Sequence, residues 1–168
     1  LEKLGPTLAN CVSDTAGQIT VLCKTLKQAW RPMDNDRERF MTGAEKAHWL
    51  ASFITERASL ASLNTRTVRT ALNFCEQRAD AWRESTSVLI HGDAHEDNSL
   101  VTGETDDQGL PQCKFVDPDG LFAEKACDLA VPMRGWNEEL IAGDTLYQAR
   151  ERCDLLASLT DVDTISIW

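Results

Sequence analysis

His91-Gly92-Asp93-Ala94-His95-Glu96-Asp97-Asn98 is the stretch on which the reading of this chain turns. It follows Val88-Leu89-Ile90, a short apolar run of strand type that His91-Gly92-Asp93 breaks. Asp93 and Asn98 flank four residues, and a loop of that form can point a carboxylate and an amide into one cleft. A second apolar run, Phe115-Val116, ends in Asp117-Pro118-Asp119-Gly120, a strong turn signal that presents another carboxylate. Three oxygen-bearing side chains suit a hard cation such as Mg²⁺, which takes few protein ligands and shares the rest with phosphate and water.

The surrounding charge points the same way. From His91 to Asp128 ten acids stand against Lys114 and Lys125, a net −8 over 38 positions, within a chain of net charge −10. Acids packed at that density repel one another, so a metal, a substrate amine or both are expected among some of them. Glu104, Asp106 and Asp107, in the polar stretch Gly103 to Pro111, read instead as a solvated hairpin loop. The acidity argues against nucleic acid and against an anionic membrane surface. No window approaches the roughly 18 apolar residues of a membrane span. Six scattered cysteines with no C-x-x-C spacing read as reduced, partly buried thiols of a cytosolic protein.

Outside the loops the texture is helical. Ile19, Leu22, Cys23, Leu26 and Trp30 share a face of a helix from Thr15 to Trp30, with Thr15-x-x-Gln18 as its capping box. Arg31 to Arg39 reads as a loop. Thr42-x-x-Glu45 is a second capping box, and Ala47, Leu50, Ile54, Ala58 and Ala61 mark the helix behind it. A third helix starts after Asn64 or Thr65, with Val68, Ala71, Leu72, Cys75, Ala79 and Trp82 in a stripe. Each stripe reads as core, and so do His48 and the tryptophans. Helix returns near Asp128, limited or kinked by Pro132, and again from Asp144 to Leu159, with Leu146, Ala149, Cys153 and Leu156 apolar. The expected architecture is mostly α (α+β), one domain, a helical bundle with short β-hairpins around the polar loops.

The order Asp93, four residues, Asn98, then Asp117 after a later strand is that of the protein-kinase template, with Gly92 in place of the Arg of His-Arg-Asp and Asp117-Pro118-Asp119-Gly120 in place of Asp-Phe-Gly. His-Gly-Asp-x-His-x-x-Asn, then Asp117-Pro118, then Asp128-Leu129-Ala130 resembles the aminoglycoside phosphotransferase family. Val116 to Leu121 with Met133-Arg134-Gly135-Trp136-Asn137 looks most like its streptomycin 6-kinase and hydroxyurea-kinase branch. Ala94 and Asp97 depart from the family's usual Leu and Gly.

The resemblance implies a protein-kinase-like C-terminal lobe over 1–168, with a hinge segment at 1–10, helices at 11–86, catalytic and metal loops at 87–120 and C-terminal helices at 121–168. It implies ATP and Mg²⁺ as cofactors, Asp93 as the general base, and Asn98 and Asp117 as metal ligands. His91 and His95 are expected to support the loop; a zinc pair is disfavoured because Gly92 works against a helix. Asp128 is expected to cap the following helix and tie it to the loop. Asp119, Trp136, Asn137 and Glu138 are expected near a small cationic or hydroxylated acceptor.

The implied activity is antibiotic-resistance-type phosphorylation of an aminoglycoside-like hydroxyl in the cytoplasm. The alternatives are a kinase for choline, a sugar amine or homoserine, or a non-catalytic, pseudokinase-like binding module. No G-x-G-x-x-G or G-x-x-x-x-G-K-[ST] stands in these 168 residues. Those parts are expected on an N-terminal lobe absent from this chain, which is then a C-terminal lobe trimmed at both ends or parsed as a domain, with little or no kinase activity alone.

Overall fold

The computed structural model describes residues 3–33 and 36–163. Leu1 and Glu2 of the expected hinge, and the apolar end at Ile167-Trp168, lie outside the described residues. In chain order the elements are α1 (Thr15–Ala29), β1 (Met41–Thr42), α2 (Gly43–Ala61), α3 (Thr65–Ala81), β2 (Val88–Ile90), β3 (Ser99–Thr105), β4 (Pro111–Phe115), β5 (Leu121–Ala123), α4 (Lys125–Arg134), α5 (Asn137–Ile141) and α6 (Thr145–Thr160). The fold is α+β. The chain divides into two compact units.

The first unit comprises residues 3–31, 90–119 and 125–163. Its α1 begins differently from expectation. Asp14, not Thr15, is the N-cap and accepts from Gly17 N at 2.7 Å. Gln18 turns inward and donates to Val12 O at 2.6 Å instead of closing a capping box. The apolar face of α1 is core as expected: Leu22, Cys23 and Leu26 are fully buried. Desolvation pushes the Cys23 thiol up to about 12, and none of the six cysteines is disulfide-bonded.

The β3–β4 hairpin pairs Ser99 with Phe115 and Val101 with Cys113, with an irregularity before Thr105. Its inner face joins Leu8, Val12, Val21 and Leu22 in one cluster. The expected hinge residues do more than connect. Gly5 N donates to Val101 O and Val101 N to Pro6 O, so residues 5–7 lie along β3 as an added edge. Nor is Asp106 merely solvated: it takes Lys24 Nζ at 2.5 Å and the hairpin amides of Gln108 and Leu110.

Pro132 neither stops α4 in its opening turn nor prevents its continuation. The helix starts at Lys125, so Pro132 falls near its end. In α6, Asp144 caps the start, Cys153 and Leu156 are buried, and Leu146 is half exposed.

The second unit comprises residues 32–89 and 120–124. Thr42 and Glu45 form the expected capping box, and Asn64 caps α3 through Arg66 N and Thr67 N. The α2 and α3 stripes pack on each other more thinly than their spacing suggests. Only Ala47 and Cys75 are buried in the two helices. His48, Trp49, Leu50 and Phe53 are exposed, which corrects the core reading of the first three. Among the described residues of the expected loop at 31–39 there is a 3₁₀ turn at Arg37–Arg39. The three-stranded sheet has the order β1-β5-β2, with Met41 opposite Leu121 in parallel. Every β5 residue is buried, and Phe122 meets Trp82 edge to face at 6.4 Å.

Candidate functional site

All the residues singled out at the centre of the motif belong to the first unit. The loop after β2 is held from below by Asp128. Its carboxylate is fully buried and accepts His91 N at 3.0 Å, Gly92 N at 2.6 Å and Trp30 Nε1 at 2.9 Å. Burial pushes its pKa up, and these hydrogen bonds and His91 pull it back. Asp128 lies inside the first turn of α4, so it ties the loop to the helix without capping it. Gly92 has φ 88°, a conformation that penalises any side chain, which is a physical reason for glycine at this position. Ala94 is fully buried beneath the loop.

His91 is buried and uses both ring nitrogens. Nδ1 accepts from Asp93 N at 3.2 Å, and Nε2 lies 3.1 Å from Val116 O. A carbonyl only accepts, so the proton sits on Nε2. Val116 N donates in turn to Asn98 O at 2.9 Å. The Val116 peptide is thus clasped on both sides, and this clasp sets down the next residue, Asp117. Asp117 is exposed and left-handed, with φ 55°, an uncommon conformation for a non-glycine residue.

His95 opens the 3₁₀ turn Glu96–Asn98, and its Nδ1 accepts from Asp97 N. That leaves Nε2 as the protonated nitrogen, 3.5 Å from Asp93 Oδ2. Asn98 Nδ2 donates to Asp93 O at 3.0 Å and stands 3.4 Å from Asp93 Oδ2. Because a carbonyl oxygen must face the NH₂ side, the amide orientation follows, and Asn98 Oδ1 points elsewhere. On the other side of the carboxylate, Arg134 Nη2 lies 3.5 Å from Asp93 Oδ1.

The structure therefore brings Asp93, Asn98, His91 and His95 together, and Asp117 follows directly on Val116, whose N–H meets Asn98 O. It leaves Asp119, Asn137 and Glu138 exposed, the last two in the opening turn of α5. Trp136 is half-buried and packs on the Leu8–Cys113 cluster. Sequence reasoning missed Arg134, Trp30 and Val116. Only Arg134 carried a visible signal, a cation among the acids.

For a divalent cation, the expected donors are one amide oxygen, Asn98 Oδ1, turned away from its own NH₂ contact, and the Asp117 carboxylate. That is hard-oxygen chemistry and fits Mg²⁺. A zinc pair does not fit, since both His91 nitrogens are engaged. Among the described residues no group of three or more His, Cys, Asp or Glu is placed to hold a metal. No protein-family model matches this chain, and no curated protein matches it.

Proposed function

We propose that this chain carries the base and metal ligands of an ATP-dependent phosphotransferase that moves a γ-phosphate to a hydroxyl of an aminoglycoside-like small molecule. A protein-kinase-like C-terminal lobe is the finer fold reading that goes with it. The observation that supports the proposal is the junction of the Asn98 amide with Asp93, together with the hydrogen bond of Val116 N, one residue before Asp117, to Asn98 O. One loop and one hairpin end thus offer a carboxylate base and two hard-oxygen ligands.

In this reading Asp93 orients the acceptor hydroxyl and takes its proton as the new O–P bond forms and the bond to the β-phosphate bridging oxygen breaks, releasing ADP. Asn98 and Asp117 would hold Mg²⁺, which neutralises charge on the nucleotide phosphates when bound. His91 and His95 keep the loop and Asp93 in register. The acidic surface around the loops suits a cationic acceptor. The reading also needs a Gly-rich cover and a phosphate-binding Lys; neither G-x-G-x-x-G nor G-x-x-x-x-G-K-[ST] stands in these 168 residues.

The test is ADP release by the full encoded polypeptide with Mg·ATP and a panel of aminoglycosides. Asp93→Ala is expected to lower kcat by about 10²- to 10⁴-fold. Equal turnover by wild type and Asp93→Ala would remove Asp93 from the base role. Turnover confined to choline, a sugar amine or homoserine would move the acceptor class. Calorimetric binding of Mg·ATP without turnover on any acceptor would favour a pseudokinase-like module.

A further inference from the structure

Arg152 is a buried cation with an unusual set of partners. It lies in the middle of α6, 7% exposed, and burial draws its pKa down while Glu139 opposes the shift. A guanidinium in such a place is costly unless its donors are used. Nη1 donates to Met133 O at 3.3 Å and to Gly135 O, and Nη2 lies 3.5 Å from Glu139 Oε2. The guanidinium carbon is 5.8 Å from the centre of the Trp136 ring. Met133 and Gly135 are the two neighbours of Arg134.

The turn it grips is strained. Trp136 has φ 48° and ψ 51°, a left-handed conformation that is strained for a non-glycine residue and persists only where the surroundings enforce it. Carbonyls at the end of a helix lack partners within the helix. Arg152 engages the backbone on both sides of Arg134 and the ring of the strained residue beyond it. Arg134 then places Nη2 3.5 Å from Asp93 Oδ1, while His95 and Asn98 stand at Oδ2.

We propose that Arg152 is a positioning residue. It holds the C-terminal turn of α4 so that Arg134 stands at Oδ1 of Asp93, and the Asp93 carboxylate is thereby kept from rotating about its Cβ–Cγ bond. Its effect on turnover rests on the phosphotransferase reading; the contact chain itself does not. A misplaced base can cost about 10²-fold in rate for about 1 Å. A lysine cannot replace the fork, because a single ammonium does not span two carbonyls with fixed geometry.

The experiment compares wild type, Arg152→Lys, Arg134→Ala and the double variant in the full encoded polypeptide. Each is first checked for native circular dichroism and melting. Arg152→Lys is expected to lower kcat about tenfold or more and leave the KM for Mg·ATP unchanged. The double variant should be no slower than Arg134→Ala, since both act on one path. Multiplied losses, or a raised KM for Mg·ATP with kcat intact, would overturn the proposal.

A second readout needs no turnover. The side-chain Nε–H resonance of Arg134 should shift on Asp93→Asn in the wild-type background and not in Arg152→Lys. An equal shift in both backgrounds overturns the proposal even where no acceptor is phosphorylated, an outcome that would count separately against the phosphotransferase reading. Should Arg152→Lys fail to fold, Glu139→Ala frees Nη2 from an exposed partner. It should cost about threefold in kcat, and an unchanged kcat counts against the proposal.

Discussion

At the scale of single residues, Asp128 and Val116 decide where the chemistry-bearing groups stand. Asp128 satisfies three donors from two loop amides and one indole in a fully buried position. Asp128→Ala orphans all three, and we expect a loss of about 3 kcal/mol in urea unfolding. The pH dependence has a definite sign. The folded pKa of Asp128 is raised above 3.8. Stability from this group is therefore fully present below the unfolded value and falls as pH rises through the folded one. The gap between wild type and Asp128→Ala should be widest at the acid end and narrow on going up. The motif residues Asp93, Asn98 and Asp117 were legible in the sequence because loop chemistry is local and spacing records it. Val116 was not, since its role lies wholly in its backbone N–H and C=O, which every residue except proline has. Arg134 is 41 positions from Asp93, and no local pattern joins them.

At the scale of elements, helix existence and most boundaries were readable, as at Thr42–Glu45 and Asn64, where side-chain capping leaves a local signature. Caps failed where two candidates stood adjacent: Asp14 outcompeted Thr15 because a carboxylate is the stronger acceptor at a helix start. Burial was less legible. Period alone placed Leu50 and His48 in a core, yet a two-helix hairpin offers only one covered side, and both are exposed. Asp106 shows how an element can be tied down from a loop. Its pKa is lowered below 3.8 chiefly by the Lys24 hydrogen bond. A depressed carboxylate contributes stability above the unfolded pKa and loses it as pH falls through the folded one, the reverse of Asp128. Asp106→Asn should therefore flatten the acid limb of a melting-temperature profile, with little change at neutral pH beyond the loss of one surface pair.

At the scale of the molecule, the charge is unevenly shared. The described residues of the unit with the candidate site hold 17 acids against 9 bases, or −8, and residues 32–89 and 120–124 hold 9 against 8, or −1. Like charge at that density destabilises the compact state and is screened by salt over about 10 Å at 0.1 M. NaCl is expected to raise the melting temperature, and MgCl₂ at equal ionic strength to raise it further. The extra rise should vanish in Asp117→Ala; if it persists there, the cation sits elsewhere. The division into units was not legible, because it depends on pairings distant along the chain. Those pairings also set a timetable for the nascent polypeptide. Met41 meets Leu121, so β1 waits for 80 further residues to be made before its partner exists. At about 5–20 residues per second that is roughly 4–16 s on the ribosome. During that interval the α2–α3 hairpin, with Trp49, Phe53 and Phe74 exposed even in the finished fold, stands without its sheet. Newly made chains should therefore depend on chaperones most in the window that closes when Ala123 emerges.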